Sequence, residues 1–211
     1  MPTTAQLVRL TEPQVAPAAG VLARAFRDDP LFAHFVPDPA ARREKLPAFM
    51  VWCCRYGQRF GDAWAALTAD RVAGVAFWMP PDAGDLTPER LAATGFGQVA
   101  DAFGEEAMGR FGAVMGHLEE LHRQQVPAPH WYLLGIGVDP PLQGQGIGGQ
   151  LLQPGLRQAD AARLPCYLET QQARNVPLYR RHGFAVVGET DPPGGGPHLW
   201  LMARPPQQGS R

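Results

Sequence analysis

The residues best suited to chemistry form a glycine-rich segment that reads Gln-Gly-Gln-Gly-Ile-Gly-Gly. It follows an apolar run at residues 131–138 that predicts a buried strand, and it precedes a pattern that predicts a helix. Backbone N–H groups that open a helix, with no Cβ atoms in front of them, bind anions. We therefore expect a cofactor that carries a pyrophosphate, held by Gln143, Gly144, Gln145, Gly146, Ile147, Gly148 and Gly149.

A carboxylate lies at the end of the next predicted strand. Residues 165–170 form a short, largely apolar run that ends in Glu169 and Thr170. Ligands of open α/β sheets bind at the carboxyl ends of the strands, so Glu169 is a candidate site residue. It could instead form a structural ion pair with Arg174 or Arg180.

Other phosphate-binding patterns compete for the glycine-rich segment. A Walker loop ends in Gly-Lys-Ser/Thr, and this segment has no lysine. The dinucleotide pattern G-x-G-x-x-G matches Gly144, Gly146 and Gly149, but residues 139–143 separate it from the strand. Too few residues follow for the rest of a doubly wound nucleotide domain. A dinucleotide-dependent oxidoreductase and a plain glycine-rich turn remain alternatives.

A third pattern, Q/R-x-x-G-x-G/A, matches Gln143, Gly146 and Gly148. Around it stand, in order, Val138-Asp139-Pro140, Leu168-Glu169-Thr170 and Asn175-x-Pro177-x-Tyr179-x-x-x-Gly183-Phe184. With these motifs the chain resembles the GNAT superfamily of acyl-CoA-dependent N-acetyltransferases over residues 11–204, most strongly at 131–188. Residues 168–170 and 174–179 are most similar to the puromycin N-acetyltransferase-like branch.

The resemblance implies an α/β (α+β) fold, a single GNAT-type domain with a mixed central sheet of six to seven strands flanked by helices. We expect this domain to span residues 1–204, with an acceptor-side part at 1–128, an acetyl-CoA-binding part at 129–204 and a disordered tail at 205–211. The implied reaction moves an acetyl group from acetyl-CoA (coenzyme A) to a primary amine of a small molecule, by direct attack in a ternary complex. A non-catalytic acyl-CoA sensor on the same scaffold is an alternative.

The resemblance also implies roles for the strand before the loop. Ile136, Gly137 and Val138 would pair with the pantetheine amides of the cofactor, and the Val138 N–H would support the acetyl oxygen. Asn175 is a candidate cofactor contact, although an N-cap role at the next short helix would also explain it.

Proton transfer needs two further groups. An alkylamine has a pKa of about 10.4, so exposing its lone pair at pH 7 costs about 4 to 5 kcal/mol. Glu169 is the first choice of base, directly or through a water, and His130 is a weaker alternative. The resemblance implies that Tyr179 lies near the cofactor sulfur, where a phenol can protonate the leaving thiolate. Tyr179 could equally be a packing residue.

Composition excludes several classes of protein. The chain has 211 residues, enough for one domain, with 19 basic and 20 acidic residues and no basic run that would indicate nucleic-acid binding. Cys53, Cys54 and Cys166 suggest neither a disulfide framework nor a zinc site, so no metal is expected. Without a signal peptide pattern or an 18-residue apolar stretch, we expect a cytoplasmic protein with no membrane contact, either a monomer or a homodimer.

The N-terminal half must supply the acceptor side. Thr11-Glu12-Pro13-Gln14 predicts a helix start, Asp28-Asp29-Pro30 a helix stop, and Ala69-Asp70 the turn of a hairpin. Residues 87–125 contain six glycines and predict one or two loose helices that could cover a site. We expect the acceptor to contact this insert together with Asp28, Asp29, Phe32, Phe35 and Trp78.

Overall fold

The computed structural model describes residues 4–83, 86–126, 128–192 and 194–207. The strands are β1 (Gln6–Arg9), β2 (Asp62–Thr68), β3 (Arg71–Met79), β4 (Trp131–Val138), β5 (Cys166–Thr170), β6 (Ala185–Thr190) and β7 (Leu199–Arg204). The α-helices are α1 (Glu12–Ala25), α2 (Pro30–Phe35), α3 (Pro39–Phe60), α4 (Pro88–Ala93), α5 (Phe96–Phe103), α6 (Glu105–Gln125), α7 (Ile147–Ala162) and α8 (Val176–Arg181).

The seven strands form one mixed sheet in the order β1-β2-β3-β4-β5-β7-β6. Neighbouring strands are antiparallel except β4 and β5, which are parallel. β4 and β5 pair at two positions, Trp131 with Cys166 and Tyr132 with Tyr167, and no pairing is present beyond them in the described strands. The mixed sheet of seven strands confirms the predicted fold class, and the divergence of β4 from β5 opens a wedge in its centre.

Local signals predicted several elements correctly. The Gln14 side chain accepts a hydrogen bond from the Thr11 backbone N–H at 3.0 Å, which caps the start of α1 as expected. Ala69 and Asp70 have φ angles of 46° and 59°, the left-handed conformation that a two-residue hairpin turn between β2 and β3 requires.

Helices cover both faces of the sheet and bury two apolar clusters. The larger cluster holds α1, α3, α5 and α6 against one face, and the smaller one holds α7 and α8 against the other. The predicted stripe of α7 is buried, with Leu152, Leu156 and Ala159 at 4% exposure or less. Pro154 lies within this helix, and the next residue is Gly155, where a Cβ would come within 2.2 Å of the Trp78 ring. The glycine therefore lets α7 pack directly on β3.

The insert at residues 87–125 differs from its prediction. It forms three helices, α4, α5 and α6, and Gly95 and Gly104 separate them with φ angles of 83° and 81°. The last of these helices has 21 residues despite three internal glycines. Burial of Ala107, Val114 and Leu118 against the larger cluster outweighs the roughly 1 kcal/mol that each internal glycine costs.

The C-terminal segment returns to α7. The Gln207 backbone N–H donates to Asp160 Oδ1 at 2.7 Å, so Gln207, within the predicted tail at 205–211, contacts that helix. Residues 208–211 of the predicted tail lie outside the described residues, as do residues 1–3 of the predicted domain.

Candidate active site

A cavity of about 950 Å³ begins in the wedge between β4 and β5. The pairing of β3 with β4 slips by one residue at Leu134, because Phe77 pairs with Gly135 whereas Trp78 pairs with Leu133. Such a bulge bends a strand and re-aims the groups that follow it. The bend lies just after the last residue of β4 that pairs with β5, so it contributes to the opening of the wedge.

The bulge leaves one set of β4 amides facing the wedge. The Asp139 N–H donates to the Ala73 carbonyl of β3 at 2.8 Å. Because main-chain groups alternate sides along a strand, the amide of Gly137 faces β3 while those of Ile136 and Val138 face the cavity. Two of the three residues predicted to pair with the cofactor therefore present their amides to the cavity.

Gly137 contributes to the site by a different route. Its amide is directed at β3, and a Cβ at this position would lie 2.7 Å from Leu22 of α1. The missing side chain thus lets α1 approach β4, although the residue lies in the cavity wall. The prediction that the Gly137 amide pairs with the cofactor is corrected by this geometry.

The glycine-rich segment forms a loop that leads into α7. Gly144 and Gly146 have φ angles of 76° and 86°, a conformation that side-chain-bearing residues adopt rarely, and α7 begins directly after Gly146. The Gln143 side chain donates to the Val138 carbonyl at 3.0 Å and ties the loop to β4. The loop residues that line the cavity are Gln143, Gly144, Gly146, Ile147, Gly148 and Gly149.

Gln145 does not line the cavity. Its side-chain amide donates to the Pro141 carbonyl at 3.2 Å, which closes the turn before the loop. The side chain of Ile147, although its residue lies in the cavity wall, is almost fully buried in the smaller apolar cluster. The loop therefore offers backbone groups and small residues to a ligand, as a phosphate site requires.

Glu169 lies half-buried at the end of β5 and faces the cavity. Its Oε2 accepts a hydrogen bond from the Tyr132 hydroxyl at 2.8 Å. Burial raises the pKa of the Glu169 carboxyl to about 7, against the opposing effect of the Tyr132 and Tyr167 hydroxyls. Its partner is thus a tyrosine and not the predicted alternative of an arginine, and its pKa lies where a base for neutral pH is useful.

Two histidines stand beside this carboxylate. Nε2 of His122, from α6, lies 2.6 Å from Nε2 of His130, so one ring donates a hydrogen bond and the other accepts it. The His122 ring stacks on Tyr167 with 4.3 Å between centroids and lies 4.7 Å from the Tyr132 ring. The structure therefore joins the predicted alternative base, His130, to a polar cluster around Glu169.

Tyr179 of α8 also lines the cavity and is 4% exposed. Burial raises the pKa of its phenol, and the charge of Asp29 raises it further. A phenol with a raised pKa stays protonated at neutral pH and remains a proton donor. The nearby Asp29 caps α2 by accepting from the Leu31 N–H at 3.0 Å.

Asp29 connects the two halves of the site. Its carboxylate also accepts hydrogen bonds from the side chains of Gln171 and Gln172, which follow β5. These bonds hold the carboxyl end of β5 against α2. Burial raises the pKa of Asp29, and the hydrogen bonds from Gln172 and Gln171 oppose that rise.

The predicted acceptor residues divide into two groups. Asp29, Phe32 and Phe35 line the cavity together with parts of α3 and α6. Asp28 points into solvent, its side chain 86% exposed, and Trp78 is fully buried beneath α7 on the other face of the sheet. Neither residue lines the cavity. Trp78 was misassigned because apolar residues on a strand covered on both faces give no sign of which face they occupy. Asp28 was misassigned because adjacent acids at a helix stop do not show which of them turns inward.

Asn175 does not cap α8. Its backbone is helical, with φ −84° and ψ −25°, because a short 3₁₀ turn, Ala173–Asn175, precedes the helix. The side chain instead reaches the Thr170 hydroxyl at 3.5 Å, a weak contact, and the residue lines the cavity. The predicted N-cap role is therefore wrong. The predicted role of Asn175 as a cofactor contact stays a prediction.

Some members of the site were missed in the sequence. Tyr132 and His122 come close to Glu169 through the parallel register of β4 with β5 and through the packing of α6, neither of which has a local signal. Within the described ranges, no group of three or more metal-ligating side chains is present. None of the described helices is both long and apolar enough to cross a membrane.

The chain is similar to known acetyltransferases. The model of the acetyltransferase (GNAT) family matches residues 26–184. An uncharacterized N-acetyltransferase of Schizosaccharomyces pombe is 39% identical over 54 residues, which are 26% of this chain and 22% of that protein. The match with this curated relative therefore spans about a fifth of its length.

Solved structures share the fold over nearly the whole chain. A protein of Corynebacterium glutamicum, described as histone acetyltransferase HPA2 and related acetyltransferase, has a TM-score of 0.73 at 24% identity and covers 99% of this chain and 100% of its own. A polyamine N-acetyltransferase of Drosophila melanogaster has a TM-score of 0.63 at 19% identity, with 96% and 100% covered. Arylalkylamine N-acetyltransferase 2 of Aedes aegypti has a TM-score of 0.64 at 13% identity, with 97% and 100% covered.

The family match spans most of the chain and includes the wedge, the glycine-rich loop and Glu169. The seven-stranded fold agrees with it. This chain belongs to the acetyltransferase (GNAT) family.

Proposed function

We propose that the protein is an acetyl-CoA-dependent N-acetyltransferase that acetylates a primary amine of a small molecule by direct attack in a ternary complex. The observation that carries the proposal is one continuous cavity that contains the start of α7, the cavity-facing part of β4, Glu169 and Tyr179. The proposed cofactor site, base and acid thus line one cavity.

The residues present fit the cofactor. Gly144 and Gly146 hold left-handed backbone conformations at the loop before α7, and Gly144 has no atom within 4 Å of where a Cβ would stand. The loop amides and the dipole of α7 would bind the pyrophosphate. The amides of Ile136 and Val138 would pair with the pantetheine chain, and Val138 would also support the acetyl oxygen.

The proton steps are assigned to Glu169 and Tyr179. Bound acetyl-CoA supplies an activated acetyl group as a thioester. Glu169 would take a proton from the incoming ammonium, directly or through a water, and so provide an acceptor for the step that exposes the lone pair, which costs about 4 to 5 kcal/mol at pH 7. Tyr179 would donate a proton to the departing sulfur as the new C–N bond replaces the C–S bond, and the second proton that the amide nitrogen must lose would restore the Tyr179 phenol. His130, paired with His122, is the alternative base.

The puromycin N-acetyltransferase-like branch is the finer assignment that we propose. Its support is the sequence pattern at residues 168–170 and 174–179, and both segments border the cavity. The similar solved structures include a polyamine and an arylalkylamine N-acetyltransferase, so the fold leaves the acceptor open. The class of acceptor must therefore be inferred from the side chains that line the cavity of this chain.

A thiol-release assay tests the function. Purified protein is mixed with acetyl-CoA and each of a panel of primary amines, and free coenzyme A is measured over time. We expect amine-dependent release, with a mass increase on the amine that corresponds to one acetyl group. Coenzyme A binding without release for any amine would favour the sensor alternative. Binding of NAD in place of coenzyme A would favour the oxidoreductase.

A further inference from the structure

Aromatic side chains form one wall of the cavity, away from the start of α7. Phe32 and Phe35 of α2, Phe49 and Trp52 of α3, and Phe111 of α6 all line it, and we call these five residues the aromatic wall. Ring centroids lie 5.1 Å apart for both Phe32–Phe49 and Phe35–Phe111, and both pairs meet edge to face. A further flat ring could extend this arrangement in the same geometry.

Methionines surround the aromatic wall. Met50, Met79 and Met115 line the same cavity. Thioether side chains are flexible and polarisable, and they adapt to apolar ligands of irregular shape. This part of the cavity therefore suits an apolar body much better than a hydrated chain.

Polar groups concentrate at the sheet end of the cavity. Glu169, Tyr132, His122 and His130 form the cluster described above, and Glu169 is the group suited to receive an ammonium. With polar groups at one end and apolar groups at the other, the cavity suits a ligand that has one polar end and one apolar end.

The cavity wall holds two other carboxylates besides Glu169 among the described residues, Asp29 and Glu119. Asp29 accepts hydrogen bonds from the Leu31 N–H and from the Gln171 and Gln172 side chains. The Glu119 side chain is 60% exposed and lies 3.4 Å from Arg123, so it belongs to the solvated rim. Glu169 is therefore the carboxylate best placed to receive an ammonium inside the cavity.

We infer that the acceptor is a monoamine attached to a flat apolar body, with its amine at Glu169 and its body on the aromatic wall. The inference rests on the proposed function and names its substrate class. A diamine or polyamine would bury its second charge among aromatic and thioether groups, which is costly, because Asp29 beside them already accepts three hydrogen bonds. An amine without an apolar body would leave the wall unused.

Three matched amines test the substrate class with acetyl-CoA at saturation. 2-Phenylethylamine has the ring, ethylamine lacks it, and 1,4-diaminobutane replaces it with a second ammonium. We expect kcat/KM for 2-phenylethylamine to exceed that of each of the other two by at least about tenfold.

A variant pair links that preference to the wall. Phe111 is only partly buried and belongs to α6, so Phe111→Ala should leave the fold intact while it removes one face of the wall. We expect KM for 2-phenylethylamine to rise about tenfold, with kcat/KM for ethylamine changed by less than about threefold. Met108→Ala, on the same helix but outside the cavity wall, is the matched control and should preserve the preference.

The outcomes separate the inference from the function. Equal or better acetylation of 1,4-diaminobutane, or a preference that Phe111→Ala leaves intact, would overturn the substrate class while acetyl transfer stands. Failure of the protein to bind coenzyme A or to acetylate any amine would overturn both. In the first case the aromatic wall would be ordinary core packing.

Discussion

At the α7 end of the cavity the proposed ligand-binding groups are main-chain amides, whereas at the α2, α3 and α6 end they are side chains. The first end needs Gly144 and Gly146 in left-handed conformations and is built from a short stretch of chain. The second brings together aromatic residues that are up to 79 positions apart in sequence, as between Phe32 and Phe111.

This contrast indicates how one scaffold can keep a cofactor and change its acceptor. Backbone amides bind the same phosphate and amide groups whatever side chains surround them. Side chains on α2, α3 and α6 can be exchanged without changing the sheet. Substitutions at the first end should therefore affect cofactor binding, and substitutions at the second end should affect the choice of amine.

The largest expected effect is on cofactor binding in Gly146→Val. A β-branched residue at a φ of 86° is strained, and relief of that strain would turn the loop amides away from the phosphates. We expect binding of coenzyme A, measured by calorimetry, to weaken about 100-fold or more.

The control for this loop variant is Gly116→Ala. Gly116 lies inside α6, where a Cβ would meet nothing within 4 Å. The affinity of the Gly116→Ala variant for coenzyme A should equal that of the wild type. Normal affinity in Gly146→Val as well would remove the loop from the cofactor site.

The second prediction concerns Tyr179→Phe, which removes a proton donor and keeps the ring. We expect turnover to fall about 10- to 1000-fold with little change in coenzyme A affinity. Steady-state kinetics and calorimetry on the same preparation measure the two quantities. A variant with unchanged turnover would show that Tyr179 is a packing residue.

The third and smallest effect is a shift of the pH profile in Tyr132→Phe. Turnover of the wild type should rise with pH up to about 7, because Glu169 must lose its proton before it can act as a base. The hydroxyl of Tyr132 stabilises the charged carboxylate, so its removal raises the pKa of Glu169 further. The acid limb should move upward by about one pH unit.

Glu169→Gln controls the pH experiment. This variant lacks the titrating group, so its residual activity should lose the acid limb altogether. An unchanged limb in both variants would assign it to another group and would leave His130 as the base to examine.

Much of the α7 end of the site could be predicted from the sequence, because its signals are local. The hairpin turn at Ala69 and Asp70, the apolar β4 strand and the glycines before α7 each act over a few residues. The residue types in these segments restrict the backbone conformations that each segment can adopt. Alternation along β4 does not by itself select Ile136 and Val138 over Gly137, because the pairing with β3 decides which amides face the wedge.

The acceptor side depends on contacts between distant segments. The hydrogen bond from Tyr132 to Glu169 needs the parallel pairing of β4 with β5, which are separated by all of α7. His122 reaches the site because α6 is a continuous helix of 21 residues, whereas the glycines inside α6 had predicted shorter, looser helices. Trp78 was misassigned because β3 is buried on both faces, and tertiary packing alone decides its side.

The most direct test of the proposed cofactor site is a calorimetric titration of the wild-type protein with coenzyme A, followed by one with NAD. We expect saturable binding of one coenzyme A per chain, with a dissociation constant between about 1 μM and 1 mM, and no binding of NAD. If the protein takes up no coenzyme A at millimolar concentration, the loop before α7 is not a cofactor site. The roles given to Glu169 and Tyr179 would then be wrong.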